Sequence, residues 1–241
     1  MGLQPEHPKT MCRQLLQEMQ RGIYAECEKL PRETLLSEEL GISRTQLRDV
    51  LAELEREGFI TRRHGVGTMI NRHVLQVNNR MDIETEFLDI IRHNGYTPDV
   101  SHVNLTENQA DEYIAQKLHI PEGTEVVSVC KICTADGKPA IYCEDVLEKR
   151  FVTGKFTLED LKTPIFCFLR KFCDIDTYMD LTEIHAVSAD DKVSEALNIP
   201  VGTPLLNMEE VDFDIDGNAI FYSSQYFVDE LFAHTVLRKK L

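Results

Sequence analysis

The chain has 241 residues, 42% of them hydrophobic and 28% charged, which suits a globular protein of about two domains. It has no apolar run of membrane-spanning length, and its first residues, MGLQPEHPKTMCRQLL, lack a signal peptide's apolar core, so we expect a cytoplasmic protein with no membrane partner. The formal net charge of −15 argues against nucleic acid, but residues 1–72 hold 11 basic and 11 acidic residues, so the objection applies only to residues 73–241.

The first elements are two helices with apolar faces. Met11, Leu15 and Met19 recur every four residues and predict a helix over about residues 9–22. The core face of a second, short helix is predicted at Leu35, Leu36 and Leu40. Gly41 is expected to end that helix, because glycine tolerates the left-handed conformation of a tight turn.

A third helix follows at once. Ser43 and Gln46 form a capping-box pattern at its start. One face of the helix is apolar, with Leu47, Val50, Leu51 and Leu54. Arg44, Thr45 and Arg48 lie at the other face or at the N-terminal end, where partial positive charge and free N–H groups favour a phosphate.

Gly58 ends this helix, and Phe59-Ile60 begins a strand. Residues 62–68, RRHGVGT, predict a basic turn between two short strands, whose glycines permit close approach to a groove. Taken singly, the arginines of the helix and the turn could be a solvated helix face and a charged hairpin. Together and in this order they indicate a winged helix-turn-helix that binds double-stranded DNA.

These motifs closely resemble the winged-helix domain of the GntR family of bacterial transcription regulators. The resemblance rests on LP-x-E at 30–33, LGISRTQLRDVL at 40–51, L-x-x-EGFI at 54–60 and RRHGVGT at 62–68. It implies that the helix contacts operator bases and phosphates and that the wing enters the minor groove. Arg32 replaces a small capping residue, so we expect the second helix to lack its cap. The candidate DNA-binding residues are Arg32, Arg44, Thr45, Gln46, Arg48, Arg62, Arg63, His64 and Gly65.

The second part of the chain contains an internal repeat. LHIPEGTEVVSVCKICTADGKPAIY at 118–142 is echoed by LNIPVGTPLLNMEEVDFDIDGNAIFY at 197–222. The I-P-x-G-T segments are 79 residues apart and the Asp-Gly pairs 80 apart, which indicates a one-residue insertion. Each copy predicts a helix, a strand, an Asp-Gly turn and a second strand. We expect caps at Thr106 and Ser188 for the two helices.

The remaining elements complete an α+β fold. Thr163-Pro164 is expected to open a short apolar helix, and a long strand is predicted near residues 175–187, which together give an antiparallel sheet with packed helices. Cys130 and Cys133 form a C-x-x-C on a strand, where residues three apart point to opposite faces. Seven scattered cysteines therefore indicate reduced packing residues, and we expect no metal and no cofactor.

This half resembles the UTRA domain, the effector-binding module of the HutC-type GntR subfamily. The resemblance rests on GYTPDVS at 95–101, on the two repeat units and on IFYSSQYFV at 220–228. It implies a chorismate-lyase-like fold that dimerises and binds small metabolites. We therefore expect DNA-binding residues at 1–72, a linker at 73–80 and an effector-binding and dimerisation domain at 81–241.

The resemblance also implies effector positions. Lys131 and Cys133 align with an Arg-x-Arg pair that neutralises phosphate in sugar-phosphate-binding members, and Glu144 aligns with the acidic residue on the facing strand. Phe221 and Ser224 replace a glutamate and an arginine of the last strand. These departures favour a smaller or more apolar acid or amine over a phosphorylated sugar. The candidates are Thr97, Ser101, Lys131, Cys133, Glu144, Thr163, Phe166, Phe221, Tyr222 and Ser224.

Each candidate has an alternative structural role. Lys131 and Glu144 could form a cross-strand ion pair, Phe166 and Phe221 could belong to the core, and the threonines and Ser101 could bond local backbone. The sequence thus predicts a homodimeric, metabolite-controlled transcription regulator, of the repressor type. Two alternatives stay open, a constitutive DNA-binding dimer without effector and a lyase-like enzyme, for which no cluster of nucleophile, base and oxyanion donor is present.

Overall fold

The computed structural model describes residues 8–83 and 85–239, with side chains from residue 11 onward. The chain divides into two compact units. One comprises the described residues up to Asp82 together with those from Thr235 onward, and the other comprises Ile83–His234. The predicted boundaries follow residues 72 and 80, whereas the two compact units divide after Asp82 and again before Thr235. Residues 1–7 and 240–241 of the predicted domains lie outside the described residues.

The first unit is a winged helix-turn-helix, as predicted. Its elements are α1 (Pro8–Arg21), α2 (Glu33–Glu39), α3 (Arg44–Arg56), β1 (Ile60–Arg63), β2 (Gly67–Ile70) and α4 (Arg72–Leu75). β1 and β2 pair antiparallel. Leu36 is fully buried but Leu35 is 49% exposed, so the expected core position of Leu35 is wrong. Neighbouring residues of a helix lie about 100° apart, and this short helix has only one face toward the core.

Residues 73–80 are packed onto the winged helix, where the sequence predicted a linker. Val74 and Leu75 are buried, and so is Arg80. The Arg80 guanidinium donates to the Glu57 carbonyl at 2.7 Å, pairs with Asp82, and lies 5.0 Å from the centre of the Phe59 ring. Two buried apolar side chains and one buried arginine in a mostly polar stretch produce no periodicity, so this packing has no recognisable sequence pattern.

The C-terminal tail, residues 235–239, belongs to the same unit. The Thr235 amide donates to the Asn79 carbonyl at 3.1 Å, and the Met81 amide donates to the Thr235 carbonyl at 2.9 Å. Lys239 Nζ donates to the carbonyls of Glu55, at 2.8 Å, and of Arg56. A lysine there adds a charged donor to carbonyls at the C-terminal end of α3, where few intrahelical donors remain.

The second unit is an antiparallel sheet with packed helices, which confirms the predicted α+β class. Its elements are α5 (Phe87–His93), β3 (Pro98–Gln109), α6 (Glu112–Leu118), β4 (Glu125–Ala135), β5 (Lys138–Glu148), α7 (Ile165–Phe168), β6 (Met179–Ser188), α8 (Asp191–Leu197), β7 (Pro204–Phe213) and β8 (Ala219–Phe227). A wider helical turn, Leu169–Cys173, continues α7. The strand order is β3-β4-β5-β8-β7-β6, so the two repeats meet where β5 pairs with β8.

The repeat is structural as well as sequential. In each copy an alanine holds the I-P-x-G-T turn through its backbone. The Ala110 and Ala189 amides donate to the carbonyls of Thr124 and Thr203, and the two alanine carbonyls accept from the amides of Gly123 and Gly202. The expected caps at Thr106 and Ser188 are wrong, because β3 and β6 run through those residues. The observed caps are Asp111 and Asp190, whose carboxylates accept from the amides of Ile114 and Val193. They lie 79 residues apart, the spacing of the repeat.

The sheet has two differently covered faces. On the first face, Val127, Val129, Leu147 and Phe221 pack against α7 and the turn that follows it. On the second face, Val126, Val146, Tyr142 and Tyr222 pack against α6 and α8. Because side chains alternate along a strand, the odd-numbered residues of β4, of β5 from Ile141 onward and of β8 from Phe221 onward share the first face, and the even-numbered ones share the second.

Candidate DNA-binding and effector-binding sites

The N-terminal end of α3 presents the predicted recognition residues. The Gln46 amide donates to Ser43 Oγ at 3.2 Å, and the Ser43 amide donates to Gln46 Oε1 at 3.1 Å, which confirms the capping box. The side-chain oxygen of Gln46, Oε1, therefore already accepts a hydrogen bond, and the side-chain NH₂ group is the part of Gln46 available to a base edge. Arg44 and Thr45 are exposed beside the cap. This end of the helix combines free side chains with a positive dipole end.

Arg48 lies one turn further along the exposed face. Its Nε is 3.1 Å from Glu33 Oε2, and 66% of the Arg48 side chain is exposed. Such exposed pairs contribute about 0–1 kcal/mol, so a phosphate or guanine can replace Glu33. Arg32 is exposed at the start of α2 and forms no side-chain cap there, as predicted.

The wing places Arg63, His64 and Gly65 at an exposed turn. Gly65 has φ +75, a left-handed conformation that glycine adopts without strain. Arg62 differs from its neighbours, because its Nε donates to Glu55 Oε2 at 2.7 Å and its amide to Glu55 Oε1 at 2.7 Å. Burial raises the pKa of Glu55, but these bonds outweigh it and hold the pKa below its ordinary value. Arg62 thus ties the wing to α3.

A buried polar cluster occupies the first face of the sheet. We use this name for Glu86, Lys131, Asp145, Ser223 and Gln225. Lys131 Nζ lies 3.6 Å from Asp145 Oδ2, and Ser223 Oγ donates to Asp145 Oδ1 at 2.8 Å. Gln225 Nε2 donates to Ser223 Oγ at 3.3 Å. Lys131 and Asp145 are 5% and 2% exposed.

The cluster lies where the two repeats join, since Asp145 pairs with Ser223 across β5 and β8. Buried charges cost free energy unless they are paired and hydrogen-bonded, and apolar residues would pack here more simply. Buried charged groups that destabilise the fold in this way are candidates for a binding function.

Glu86 is the half-buried member of the cluster, at the start of α5. Burial raises the pKa of Glu86 to about 7. Asp89 and Asp145 add to the rise, whereas the positive charges of Lys131 and Arg170 oppose it. Glu86 is therefore partly protonated near neutral pH.

We expect Glu86→Gln to remove one pH dependence of folding stability. The folded pKa lies above the ordinary value of 4.5. The native state then binds more protons than the unfolded chain between these values, and the free energy of unfolding falls as pH rises from about 4.5 to about 7. The fall attributable to Glu86 is about 2 kcal/mol, allowing for its partial exposure. Urea unfolding at pH 5 and pH 7.5 measures it. An equal pH dependence in Glu86→Gln and wild type, with exposed Glu122→Gln as control, would contradict this assignment.

The predicted effector residues divide between the two faces. Lys131, Cys133, Phe166 and Phe221 belong to the first face, where Phe166 and Phe221 form an edge-to-face pair with centroids 6.0 Å apart. Thr163 joins them through its carbonyl, 3.4 Å from Lys131 Nζ. The even-numbered candidates of β5 and β8 lie on the second face, and they are Glu144, Tyr222 and Ser224.

The alternative role of Lys131 and Glu144 as a cross-strand ion pair is not observed. Glu144 Oε2 is 2.6 Å from Lys192 Nζ on the second face, and the acid that faces Lys131 is Asp145. Thr97 and Ser101 lie apart from the cluster, because they bond the Asp136 turn and the Ile132 carbonyl near the first hairpin end. Glu86, Ser223 and Gln225 are not among the predicted effector residues, although Ser223 and Gln225 lie within the IFYSSQYFV segment on which the UTRA resemblance rests.

The cysteines are free thiols, as predicted. Cys133 is buried on the first face, where burial raises the pKa of its thiol to about 12. Cys130 lies on the second face, beside the Tyr142 hydroxyl at 3.7 Å. The two residues of the C-x-x-C therefore point to opposite sides of the sheet.

One group of potential metal ligands lies among the described residues, and it is Glu183, His185 and Glu209. Lys117 Nζ is 3.1 Å from the carboxylates of both glutamates. The Tyr113 hydroxyl also donates to Glu209 at 2.5 Å. The lysine supplies the positive charge that these carboxylates require, so the group forms an ion-pair network.

Two family comparisons match separate parts of the chain. Residues 9–70 match the family described as bacterial regulatory proteins, gntR family, and residues 93–233 match the UTRA domain. No helix among the described residues is long and apolar enough to cross a membrane.

The chain is similar to several transcription regulators, and the similarity covers most of the length of both chains. A histidine utilization repressor from Pseudomonas putida is 26% identical over 201 residues, which is 80% of this chain and 76% of the repressor. A probable fructoselysine utilization operon transcriptional repressor from Escherichia coli is 21% identical over 225 residues, 90% of this chain and 88% of that protein. The crystal structure of YydK from Bacillus subtilis, described as a possible transcriptional regulator, has a TM-score of 0.78 at 18% identity and covers 96% of this chain and 100% of its own.

Proposed function

Because the chain belongs to the GntR family of bacterial regulatory proteins and carries a UTRA domain, we propose that it is a cytoplasmic repressor whose operator affinity is set by a small molecule bound on the first face of the sheet. The family consists of transcription regulators, so the lyase-like enzyme is excluded. The proposed DNA contacts are Arg44, Thr45 and Arg48 of α3, and Arg63 and His64 of the wing.

The buried polar cluster carries the effector assignment. Lys131, Asp145, Ser223 and Gln225 offer an ammonium, a carboxylate, a hydroxyl and an amide within one connected network. Phe166 and Phe221 border it with apolar surface. A few convergent polar groups beside aromatic side chains are typical of small-molecule sites. Glu144, Tyr222 and Ser224 are not included, because they face the other side of the sheet.

A reporter gene behind the chain's own upstream DNA tests this function. We expect wild-type protein to repress the reporter and one nutrient in a panel of carbon and nitrogen sources to relieve the repression. Histidine and fructoselysine belong in that panel, given the names of two relatives. Lys131→Met should reduce the relief, whereas Lys162→Met, an exposed lysine paired with Glu159, should not. Repression that no nutrient relieves would favour the constitutive dimer.

We further propose that the chain is a homodimer joined through β6. This strand is the outermost of its edge of the sheet, and its neighbour on the other side is absent within the described residues. Tyr178, Met179, Leu181 and Ile184 are exposed there, Leu181 to 67%. An edge strand with exposed apolar side chains is prone to pair with another strand, and antiparallel pairing with its own copy forms a closed two-fold dimer. Such a dimer would match a pseudo-palindromic operator.

Charges on this strand are expected to break the dimer. Leu181→Asp combined with Ile184→Asp should shift the mass measured by light scattering from dimer to monomer, because two carboxylates would be buried unpaired at the interface. Operator affinity should fall as well, since a monomer contacts only one half-site of the operator. As a control, Leu158→Asp combined with Val201→Asp changes two exposed apolar residues outside β6. The measured mass of this variant should remain that of a dimer. A wild-type monomer, or a dimer unaffected by the first pair, would refute the proposed interface.

A further inference from the structure

We propose that the effector carries a positive charge, as an ammonium, amidinium or guanidinium group bound by the carboxylates of the buried polar cluster. The inference rests on the proposed function, which places the effector on the first face of the sheet. It concerns only the charge of the molecule that binds there.

The charge balance of this face is negative. Among the residues that the structure describes, the cluster itself contains the ammonium of Lys131 against the carboxylate of Asp145 and the partly protonated carboxyl of Glu86. Glu210 adjoins the cluster directly, because it accepts a hydrogen bond from Gln225. Asp212 is 1% exposed and pairs with Phe221 across the strands. An incoming cation lowers the electrostatic cost of this arrangement, and an incoming anion raises it.

Asp145 supplies an independent observation. Its Oδ1 accepts from Ser223, but its Oδ2 accepts no hydrogen bond from the described residues, although Asp145 is almost fully buried. The nearest cation, Lys131 Nζ, is 3.6 Å away. A buried carboxylate oxygen without a donor costs free energy, so a ligand N–H that reaches it would be strongly favoured.

The same residues do not suit an anionic effector. The Lys131 ammonium already faces Asp145 and the Thr163 carbonyl. Cys133, next on the same face, is a neutral thiol. Arg170, whose charge acts on Glu86, is held at 3.0 Å by Asp176. A phosphate or carboxylate would meet one shared cation and several carboxylates.

Three probes with one carbon chain test the charge. Thermal unfolding of the full chain would be followed with pentylamine, 1-pentanol and sodium pentanoate, each at 20 mM and equal ionic strength, and with inorganic phosphate. We expect pentylamine alone to raise the Tm of the second unit, by about 2–4 °C. Asp145→Asn should abolish that rise, and Asp191→Asn, an exposed acid of α8, should retain it.

The outcomes separate this inference from the proposed function. An equal or larger rise with pentanoate or phosphate, or no rise with pentylamine, would overturn the positive charge. The same preparations would be titrated on the chain's upstream DNA. Sequence-selective binding there together with an anion-selective Tm rise would overturn only the charge, whereas absence of selective DNA binding would overturn the regulator itself.

Discussion

Replacing Arg48 with alanine is expected to weaken operator binding about 10- to 100-fold, because one arginine bound to a guanine edge contributes about 1–3 kcal/mol. In the free protein this guanidinium is exposed and held only by Glu33, at 3.1 Å. Because breaking the pair with Glu33 costs little free energy, nearly the whole contribution of this guanidinium to DNA binding should be lost in the variant. Fluorescence anisotropy on the chain's own upstream DNA measures the change.

Arg56 provides the matched control for Arg48. It is an equally exposed arginine at the other end of α3, paired with Glu53 and Glu57. Arg56→Ala should alter affinity by less than about threefold, since it lies away from the capped end of the helix. If both substitutions weaken binding equally, the loss reflects net charge, and α3 does not read bases through Arg48.

Deleting the chain from residue 235 onward is expected to destabilise the DNA-binding unit by about 2 kcal/mol. The deletion removes the Lys239 contacts to the last carbonyls of α3, the backbone pairing with Asn79 and Met81, and the packing of Leu237 on Gly58. Contributions of about 1 kcal/mol for a helix-end contact and for a half-buried leucine support this magnitude. Amide exchange of α3, followed by mass spectrometry, should become about 30-fold faster.

A substituted tail serves as the control for the deletion. Val236→Ser with Arg238→Met changes two exposed tail residues that make none of these contacts. Exchange in α3 should then stay at the wild-type rate. Unchanged exchange after the deletion itself would mean that the tail contacts do not support α3.

Local signals in the sequence predicted most of the first unit. The capping box of Ser43 and Gln46 and the leucine spacing of α3 act within one or two turns, and both are observed. The positions of residues 73–80 and of the tail depend on contacts between distant parts of the chain. Arg80 and Lys239 reach the end of α3 from 23 and 184 residues away. No short-range pattern encodes such contacts, so the sequence predicted a linker at 73–80 and assigned the tail to the effector-binding domain.

A single irregularity explains the error about Glu144. Regular pairing outward from the Asp136-Gly137 turn would place Glu144 on the same face as Lys131. The pairing shifts between Cys133 and Thr134, where Cys133 opposes Ile141 and Thr134 opposes Pro139. This bulge inserts one residue and exchanges the faces of everything beyond it, so Asp145 meets Lys131. Pro139 lacks a backbone donor for the ladder, which is the one feature in the sequence that favours a bulge there.

Binding of the purified full chain to its own upstream DNA tests the central claim most directly. Anisotropy titrations at 50 and 200 mM salt would compare that DNA with a scrambled duplex of equal length and composition. We predict saturable binding at least about 1,000-fold tighter to the upstream DNA, with affinity for both duplexes falling steeply as salt rises. Equal affinity for the two duplexes, or no binding to either, would contradict the assignment as a sequence-specific regulator.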